Sequence, residues 1–185
     1  MIRSAQNIDE KIICAGFGGQ GIMVMGKVLA EAAMTKGLNA TWLPAYGAEV
    51  RGGTAYAMVR VSDEFIANPV VGTADTAILM NEPSFDKFKT SVSPGGLIIV
   101  NTSLVFGSLD AGGTEVIACP ITEEAIKLGN VRVANMIAVG IYAERKKIFE
   151  KEVLAEVIKI MAGGKKELIP VNFKALERGM ELGAK

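Results

Sequence analysis

The hydrophobic positions of the chain alternate between short apolar runs and longer stretches with helical spacing. The first apolar run, Lys11 to Ala15, predicts a strand. From Gly21 to about Lys36 the apolar residues recur at helical spacing, which predicts a helix that stops at Gly37. A short second strand is expected from Ala40 to Leu43, and strict alternation predicts a further strand from Thr54 to Val61.

The middle of the chain continues with buried strands. Ser62 to Glu64 are expected to turn the chain into a short partner strand near Phe65 and Ile66, and two apolar strands at 76–80 and 96–100 flank a helix around residues 85–88. Because these runs are short, branched and apolar on both faces, they favour a parallel sheet covered by helices. The prediction is an α/β fold in three layers, mostly parallel, with a Rossmann-like first βα unit and an antiparallel excursion near residues 54–66.

The C-terminal third predicts one last strand, EVIAC, followed by four helices. These helices are expected near residues 122–128, 133–145, 150–161 and 172–182. Gly163 and Gly164 are expected to close the third of them, and Asn172 to cap the fourth. No linker long enough to split the chain is found, so residues 1–185 are predicted to form a single domain.

Three asparagines stand at informative places in this pattern. Asn81 and Asn101 each follow a buried strand, where turn formation is the expected role and an amide facing the sheet edge is the alternative. Asn135 is a strongly polar side chain inside an apolar helical run, where we expect a buried hydrogen bond.

The composition and charge of the chain exclude some classes of function. The 185 residues are 50% hydrophobic, with 20 basic and 20 acidic side chains and 6% aromatics, so nucleic acid is not an expected partner. The uncharged apolar stretch from Val133 to Ala143 is too short to cross a bilayer, and the N-terminal residues lack the apolar core of a signal peptide. We therefore expect a cytoplasmic protein without membrane contact.

The chain also lacks the usual catalytic side chains. It contains no histidine, and its two cysteines, Cys14 and Cys119, lie in apolar strand-like runs where buried free thiols are expected. No zinc or iron-sulfur spacing, phosphate loop or nucleophile elbow is present. We therefore expect no catalytic residue, no metal site and no cofactor bound by this chain alone.

The first candidate site is the glycine-rich turn GFGGQG at residues 16–21. Its candidate cofactor-binding or subunit-contact residues are Gly16, Gly18, Gly19, Gln20 and Gly21. The spacing GxGxxG between a strand and a helix is typical of turns that approach a phosphate group closely. We expect Gly18 and Gly19 to be required for the backbone shape of this turn.

Three interpretations of the turn stay open. The glycines serve close packing of the helix on the sheet, contact with an anion or cofactor, or contact with the backbone of a neighbouring subunit. A dinucleotide site also needs an acidic residue about twenty residues downstream, at the end of the second strand. Here that strand ends in TWLP, and the nearest acid is Glu49, which lies beyond Pro44.

The second candidate site is the segment PAYGAEVRGG at residues 44–53. Its candidate residues are Tyr46, Glu49, Arg51, Gly52 and Gly53. The segment follows the second strand, so it should share the sheet edge with GFGGQG, where ligands bind in open parallel sheets. The alternative is an exposed salt bridge on a surface loop, which contributes little to stability.

Taken together, the two segments resemble the gamma subunits of 2-oxoacid:ferredoxin oxidoreductases, also called 2-ketoacid:acceptor oxidoreductases. The resemblance rests on GFGGQG, TWLPAYGAEVRGGTAYAMVRVSD, DTAILMNEPSFDKF and GGLIIVNTS, which cover Ile12 to Ser103 closely. The segment WLPAYGAEVRGGTA is most similar to the corresponding segment of the 2-oxoglutarate and branched-chain members. YGAEVRGG placed after GFGGQG is far more specific than GxGxxG alone.

The resemblance implies an accessory subunit of a larger enzyme. Such enzymes convert a 2-oxoacid and coenzyme A to acyl-CoA and carbon dioxide, and they pass the electrons to ferredoxin. The implied cofactors are thiamine diphosphate with Mg, iron-sulfur clusters and coenzyme A, and the implied partners are alpha and beta subunits, an optional ferredoxin-like delta subunit, and ferredoxin. A substrate preference for 2-oxoglutarate is favoured.

Two further expectations concern the isolated chain. It should be inactive, and since its mean hydropathy is +0.32, a homodimer is one expected state, partly through surface meant for its partners. Two alternative functions remain: a freestanding Rossmann-type nucleotide-binding oxidoreductase, and a regulatory binding module with no catalytic role.

Overall fold

A computed structural model of the protein describes residues 7–45 and 54–185. Within this part of the chain, one mixed sheet of six strands is covered by helices. The strands are β1 (Asp9–Gly16), β2 (Asn39–Ala45), β3 (Ala55–Ser62), β4 (Ala74–Leu79), β5 (Val92–Asn101) and β6 (Glu115–Cys119). The helices are α1 (Ile22–Thr35), α2 (Glu82–Phe88), α3 (Ile121–Lys127), α4 (Ala134–Lys146), α5 (Lys151–Ala162) and α6 (Ile169–Gly183).

The strand order is β2-β3-β1-β4-β5-β6. Strand β3 runs antiparallel to both of its neighbours, whereas β1, β4, β5 and β6 pair in parallel. The mostly parallel α/β sheet and its antiparallel excursion are therefore confirmed. The Rossmann-like first unit is modified, because β3 separates β1 from β2.

The predicted partner strand near Phe65 and Ile66 is wrong. Two hydrogen bonds hold the chain where it leaves β3: the Asp63 N–H donates to the carbonyl oxygen of Ile8, just before β1, at 3.0 Å, and the Glu64 N–H donates to Ser62 Oγ at 3.0 Å. Residues 65 and 66 are not in a strand, and the Phe65 side chain is 87% exposed. The antiparallel partners of β3 are instead β1 and β2, which precede it in sequence.

Both faces of the sheet are covered, as the three-layer prediction requires. On β1, Ile12 and Cys14 pack into the core under α1, α3, α4, α5 and α6. Ile13 and Ala15 point to the other face and share a smaller core with Phe85 of α2. A strand whose successive side chains enter two different cores reads as a continuous apolar run, which is why the pattern of the sequence indicated a parallel sheet.

Two helix ends were predicted in the C-terminal third, and the structure confirms one of them and not the other. Gly163 closes α5 with a positive φ of 52°, as expected. Asn172 does not cap α6, because the helix already begins at Ile169, where Pro170 supplies a fixed φ in the first turn. The side-chain amide of Asn172 instead donates to the Leu168 carbonyl oxygen at 2.7 Å.

A buried ion pair joins the sheet to α4. Glu10 of β1 is only 6% exposed. Its Oε1 accepts a hydrogen bond from Thr76 Oγ1 at 2.7 Å, and its Oε2 lies 2.9 Å from Lys146 Nζ. Burial raises the pKa of the Glu10 carboxyl, nearby Asp75 adds to that effect, and the Thr76 and Lys146 contacts oppose it.

We expect Glu10→Gln to remove one component of the pH dependence of stability. A pKa that is higher in the folded chain than in the unfolded chain means that the folded chain holds this proton more tightly. The resulting stabilisation is fully present below the unfolded pKa of about 4.3 and is lost as the pH rises through the raised folded value. The difference in free energy of unfolding, wild type minus Glu10→Gln, should therefore fall as the pH rises.

Urea unfolding between roughly pH 4 and roughly pH 8 measures this difference. Glu156→Gln is the matched control, since Glu156 is exposed on α5. Parallel pH profiles for wild type and Glu10→Gln would show that the buried carboxyl does not titrate as its environment implies.

Candidate functional site

The carboxyl edge of the sheet brings the two candidate segments together at their anchoring strands. Strands β1 and β2 run in the same direction, because each is antiparallel to β3. Gly16 at the end of β1 pairs with Ala55, and Ala45 at the end of β2 pairs with Tyr56. The strand ends that flank residues 46–53 therefore lie at the same edge as GFGGQG.

The candidate residues of the second segment lie outside the described residues. These are Tyr46, Glu49, Arg51, Gly52 and Gly53. Their assignment to cofactor binding or subunit contact stays a prediction.

The backbone of GFGGQG depends on two of its glycines in particular. Gly19 has a φ of 98°, and Gly21, the N-cap of α1, has a φ of 73°. The Gln20 N–H donates to the Phe17 carbonyl oxygen at 3.3 Å, so residues 17–20 form a turn whose third residue requires positive φ. The requirement predicted for Gly19 is confirmed.

The same requirement predicted for Gly18 is wrong. Gly18 does not have positive φ, and a Cβ added there meets no atom within 4 Å. It is the second residue of the turn, a position whose backbone angles most residues adopt without strain. The number of glycines in the motif therefore overstates how many of them the backbone needs.

The side chain of Gln20 connects the turn to the end of β4 through hydrogen bonds. Its Oε1 accepts a hydrogen bond from the Phe17 N–H at 2.8 Å, and its Nε2 donates to the Met80 carbonyl oxygen at 3.0 Å. Gly16 leaves the room for this arrangement, since a Cβ there would collide with Gln20 Oε1 and lie 2.7 Å from Ile22 Cδ1. Gln20 thus fills the space between the ends of β1 and β4.

That space is the switch point of the sheet. From β1 the chain crosses to β2 and β3 on one side, and from β4 it continues to β5 on the other. Open α/β sheets bind ligands at such a point, in the crevice beyond the strand ends. Here Asn101 also reaches it, because its Nδ2 donates to the Met80 carbonyl oxygen at 3.1 Å and to Thr122 Oγ1 at 2.8 Å.

The three asparagines have distinct roles. Asn81 caps α2 by accepting a hydrogen bond from the Ser84 N–H at 3.2 Å, in agreement with the expected turn formation. Asn101 takes the alternative role, since its Oδ1 also accepts from the Thr122 N–H at 3.1 Å and so ties β5 to α3. Asn135 makes the expected buried hydrogen bond, from its Nδ2 to the Gly21 carbonyl oxygen at 3.3 Å.

A cleft of about 270 Å³ opens beside the turn. It is lined by Phe17, Gly19, Gln20, Leu104, Thr122, Val131, Arg132 and Ala134. Thr122, Val131 and Arg132 were not among the candidate residues, because they reach this edge only through the order of β4, β5 and β6 in the sheet. The sequence indicated this part of the edge through Asn101, an asparagine that directly follows the buried apolar run of β5.

The two cysteines are buried and free, as predicted. Burial raises the pKa of the Cys14 thiol to about 12 and also raises the pKa of the Cys119 thiol. In the described part of the chain, no group of three or more metal-ligating side chains comes together. No helix among the same residues is long and apolar enough to cross a membrane.

Comparison with protein families decides the relationship. The model of the pyruvate ferredoxin/flavodoxin oxidoreductase family matches residues 11–182. The chain belongs to this family.

Relatives within the family differ in length. The ketoisovalerate oxidoreductase subunit VorA of Methanothermobacter thermautotrophicus is 37% identical over 94% of this chain, but the chain spans only 36% of VorA. The 2-oxoglutarate synthase subunit KorC of Methanothermobacter marburgensis is 32% identical, over 94% of this chain and 96% of KorC. The family therefore contains this unit both as a chain of similar length and as part of a longer one.

Solved structures agree with this relationship. The keto/oxoacid ferredoxin oxidoreductase gamma subunit from Geobacter sulfurreducens PCA superposes with a TM-score of 0.81 at 28% identity, covering 94% of this chain and 98% of that one. A 2-oxoglutarate:ferredoxin oxidoreductase chain from Magnetococcus marinus gives a TM-score of 0.87 at 26% identity, covering 96% of this chain and 31% of that one. The resemblance to gamma subunits and the α/β fold are confirmed.

Proposed function

We propose that this protein is the gamma-type accessory subunit of a thiamine-diphosphate-dependent 2-oxoacid:ferredoxin oxidoreductase. The observation that carries the proposal is its end-to-end match to chains of its own size, 96% of KorC and 98% of the Geobacter gamma subunit. The assembled enzyme decarboxylates a 2-oxoacid, joins the acyl group to coenzyme A, and releases carbon dioxide. The electrons released by this oxidation pass to ferredoxin.

Residues 7–45 and 54–185 provide no cluster of ligands for the metal-containing cofactors that perform the carbon and electron chemistry. The chain has no histidine, and its two cysteines are buried far apart in sequence on β1 and β6. Thiamine diphosphate with its Mg and the iron-sulfur clusters therefore belong to alpha, beta and optional delta subunits in this proposal, and this chain supplies contacts rather than reacting groups.

The substrate is a further part of the proposal. We propose 2-oxoglutarate first, because the KorC relatives match this chain along nearly their whole length. A branched-chain 2-oxoacid is the second candidate, since VorA is more similar residue by residue. KorC and VorA support the 2-oxoglutarate and branched-chain substrate classes, respectively, which the segment WLPAYGAEVRGGTA also indicates.

Two features count against a freestanding dinucleotide-binding oxidoreductase. Antiparallel β3 lies between β1 and β2, so the end of the second strand is not adjacent to the glycine turn. The Gln20 side chain also fills the switch point where a pyrophosphate would lie in such enzymes.

The proposal is tested by activity with and without the chain. The purified chain should be colourless and should not reduce a viologen dye with 2-oxoglutarate or a branched-chain 2-oxoacid and coenzyme A. Added to its alpha and beta subunits, it should restore turnover, and a preparation of those subunits without it should stay near background. Turnover by the pure chain, or full turnover by the other subunits alone, would contradict the proposal.

A further inference from the structure

The last strand of the sheet has an open edge. In the described part of the chain, β6 pairs with β5 and has no strand on its other side. Val116 and Ile117 in the middle of β6 are half-buried, and Ala118 is exposed. An open edge presents unpaired N–H and C=O groups, which can pair with a strand of another chain.

This edge lacks the features that usually prevent such pairing. Soluble proteins protect strand edges with charged side chains, prolines and bulges. The opposite edge strand, β2, contains Pro44, whereas β6 has the sequence EVIAC and pairs with β5 in a regular register. Its one charge is at its first residue, Glu115, so the four residues that follow can accept a partner strand.

The backbone of β6 is self-complementary on its open side. The Cys119 carbonyl oxygen accepts a hydrogen bond from the Thr102 N–H at 2.9 Å, so it points toward β5. Because the backbone groups of successive strand residues point to alternate sides, those of Val116 and Ala118 point outward. In an antiparallel pair centred on Ile117, Val116 of each copy faces Ala118 of the other, and each such pair exchanges two hydrogen bonds.

The charges along this edge also match a second copy of the chain. Glu115 lies at one end of β6 and Cys119 at the other, and Lys185 lines the same groove. Lys185 is near enough to Cys119 to oppose the rise that burial causes in the pKa of this thiol. In the antiparallel pair, Glu115 of one copy lies opposite Cys119 of the other, where Lys185 supplies a cation. The two-fold axis makes this contact between opposite charges twice.

We propose that β6 is a self-association edge, on which a second copy of this chain pairs antiparallel about a two-fold axis at Ile117. The two sheets then form one continuous sheet. A second copy matches both the outward backbone groups and the opposite charges at the two ends of the strand. The contact does not depend on the proposed function, because both partners are copies of this chain.

The register of the pair is tested with engineered disulfides. Opposite residues that do not exchange hydrogen bonds have Cα atoms about 4.5 Å apart in an antiparallel pair, a distance that a disulfide spans. Ile117→Cys should therefore form a disulfide-linked dimer under mild oxidation, seen on a non-reducing gel. Val116→Cys is the matched control, since Val116 faces Ala118 rather than its own copy. Its dimer should form at least about 10-fold more slowly.

Sedimentation equilibrium of the reduced wild-type chain measures the association itself. Because the contact is small, its dissociation constant is expected in the micromolar range, which concentrations from about 1 to about 300 μM cover. Ala118→Pro should raise this constant at least about 30-fold, because each copy loses an outward N–H while its own sheet loses no hydrogen bond. The melting temperature of each variant confirms its fold.

A charge reversal provides a second variant at the same contact. Lys185→Glu should raise the dissociation constant about 10-fold, because two carboxylates then face each other at each end of the pair. Lys166→Glu is the matched control, since Lys166 is also exposed but precedes α6, whereas Lys185 follows it. The control should stay within about 3-fold of wild type.

Three results would overturn this inference: a wild-type chain that stays monomeric up to about 300 μM, a dimer that Ala118→Pro and Lys185→Glu leave unchanged, or equal cross-linking of the two cysteine variants. If Ala118→Pro does not fold, Lys185→Glu and the cysteine variants decide. A monomer whose Ala118→Pro variant binds the alpha and beta subunits more weakly would assign the edge to another subunit instead. Each of these results leaves the proposed function unaffected, since turnover by the assembled enzyme tests that separately.

Discussion

Gly179→Ala is expected to lower the free energy of unfolding of the free chain by about 3 kcal/mol. Gly179 lies on α6 where this helix crosses α4, opposite Gly140. A Cβ at Gly179 would collide with the Ile137 carbonyl oxygen and lie 2.9 Å from the Gly140 Cα. Both obstacles are backbone atoms of a buried helix, so a change of rotamer cannot relieve them.

The cost follows from what must move. Relief of the collision requires α6 to shift away from α4, which opens the packing around Leu176 and Ile137, both essentially unexposed. Overpacked cores lose stability because neighbouring contacts are given up to accommodate the extra group. Urea unfolding followed by circular dichroism measures the loss.

Gly164→Ala is the control for this substitution. Gly164 follows α5, has no positive φ, and an added Cβ there meets no atom within 4 Å. Its effect should stay within about 0.5 kcal/mol of wild type. Equal stability of the Gly179 and Gly164 variants would mean that the two helices do not cross as closely as described.

The fold could be predicted wherever a local pattern determines it. The run Lys11 to Ala15 and the helical spacing after Gly21 gave β1 and α1 nearly at their observed bounds. The partner strand near Phe65 and Ile66 could not be predicted correctly, since β3 pairs with two strands that precede it, β2 and the more distant β1, where the contacting residues Asp9 and Arg60 are 51 positions apart along the chain. Local turn signals next to β3 were therefore a poor guide to its partners.

The candidate site also contains features that the local sequence predicts and others that depend on distant parts of the chain. Gln20 was among the candidate site residues because it lies within the motif. Its role in connecting the turn to β4 depends on the Met80 carbonyl oxygen, which only the order of strands in the sheet brings near. Thr122 and Arg132 carry no local signal at all, since a threonine and an arginine after apolar runs are ordinary surface residues. The sequence also contains no sign that Phe17 and Val131 remain exposed, because apolar residues that are buried and those that are exposed look alike.

Substitution of the turn glycines separates backbone strain from side-chain collision. Gly18→Ala should change the free energy of unfolding by no more than about 0.5 kcal/mol, because the position has neither positive φ nor a neighbour within 4 Å. Gly19→Ala should cost about 1 kcal/mol, since its φ of 98° strains an L-residue while the space around it is open.

Gly21→Ala should cost the most of the three, about 2–3 kcal/mol. The same backbone strain applies at its φ of 73°, and the added Cβ would also collide with the Asn135 amide and lie 3.0 Å from its Cγ. Displacing that amide breaks its hydrogen bond to the Gly21 carbonyl oxygen and leaves a buried polar group without a partner. Thermal and urea unfolding of the three variants should give the order Gly18, Gly19, Gly21. A loss at Gly18 as large as that at Gly21 would contradict the described turn, because the motif would then need every glycine for its shape.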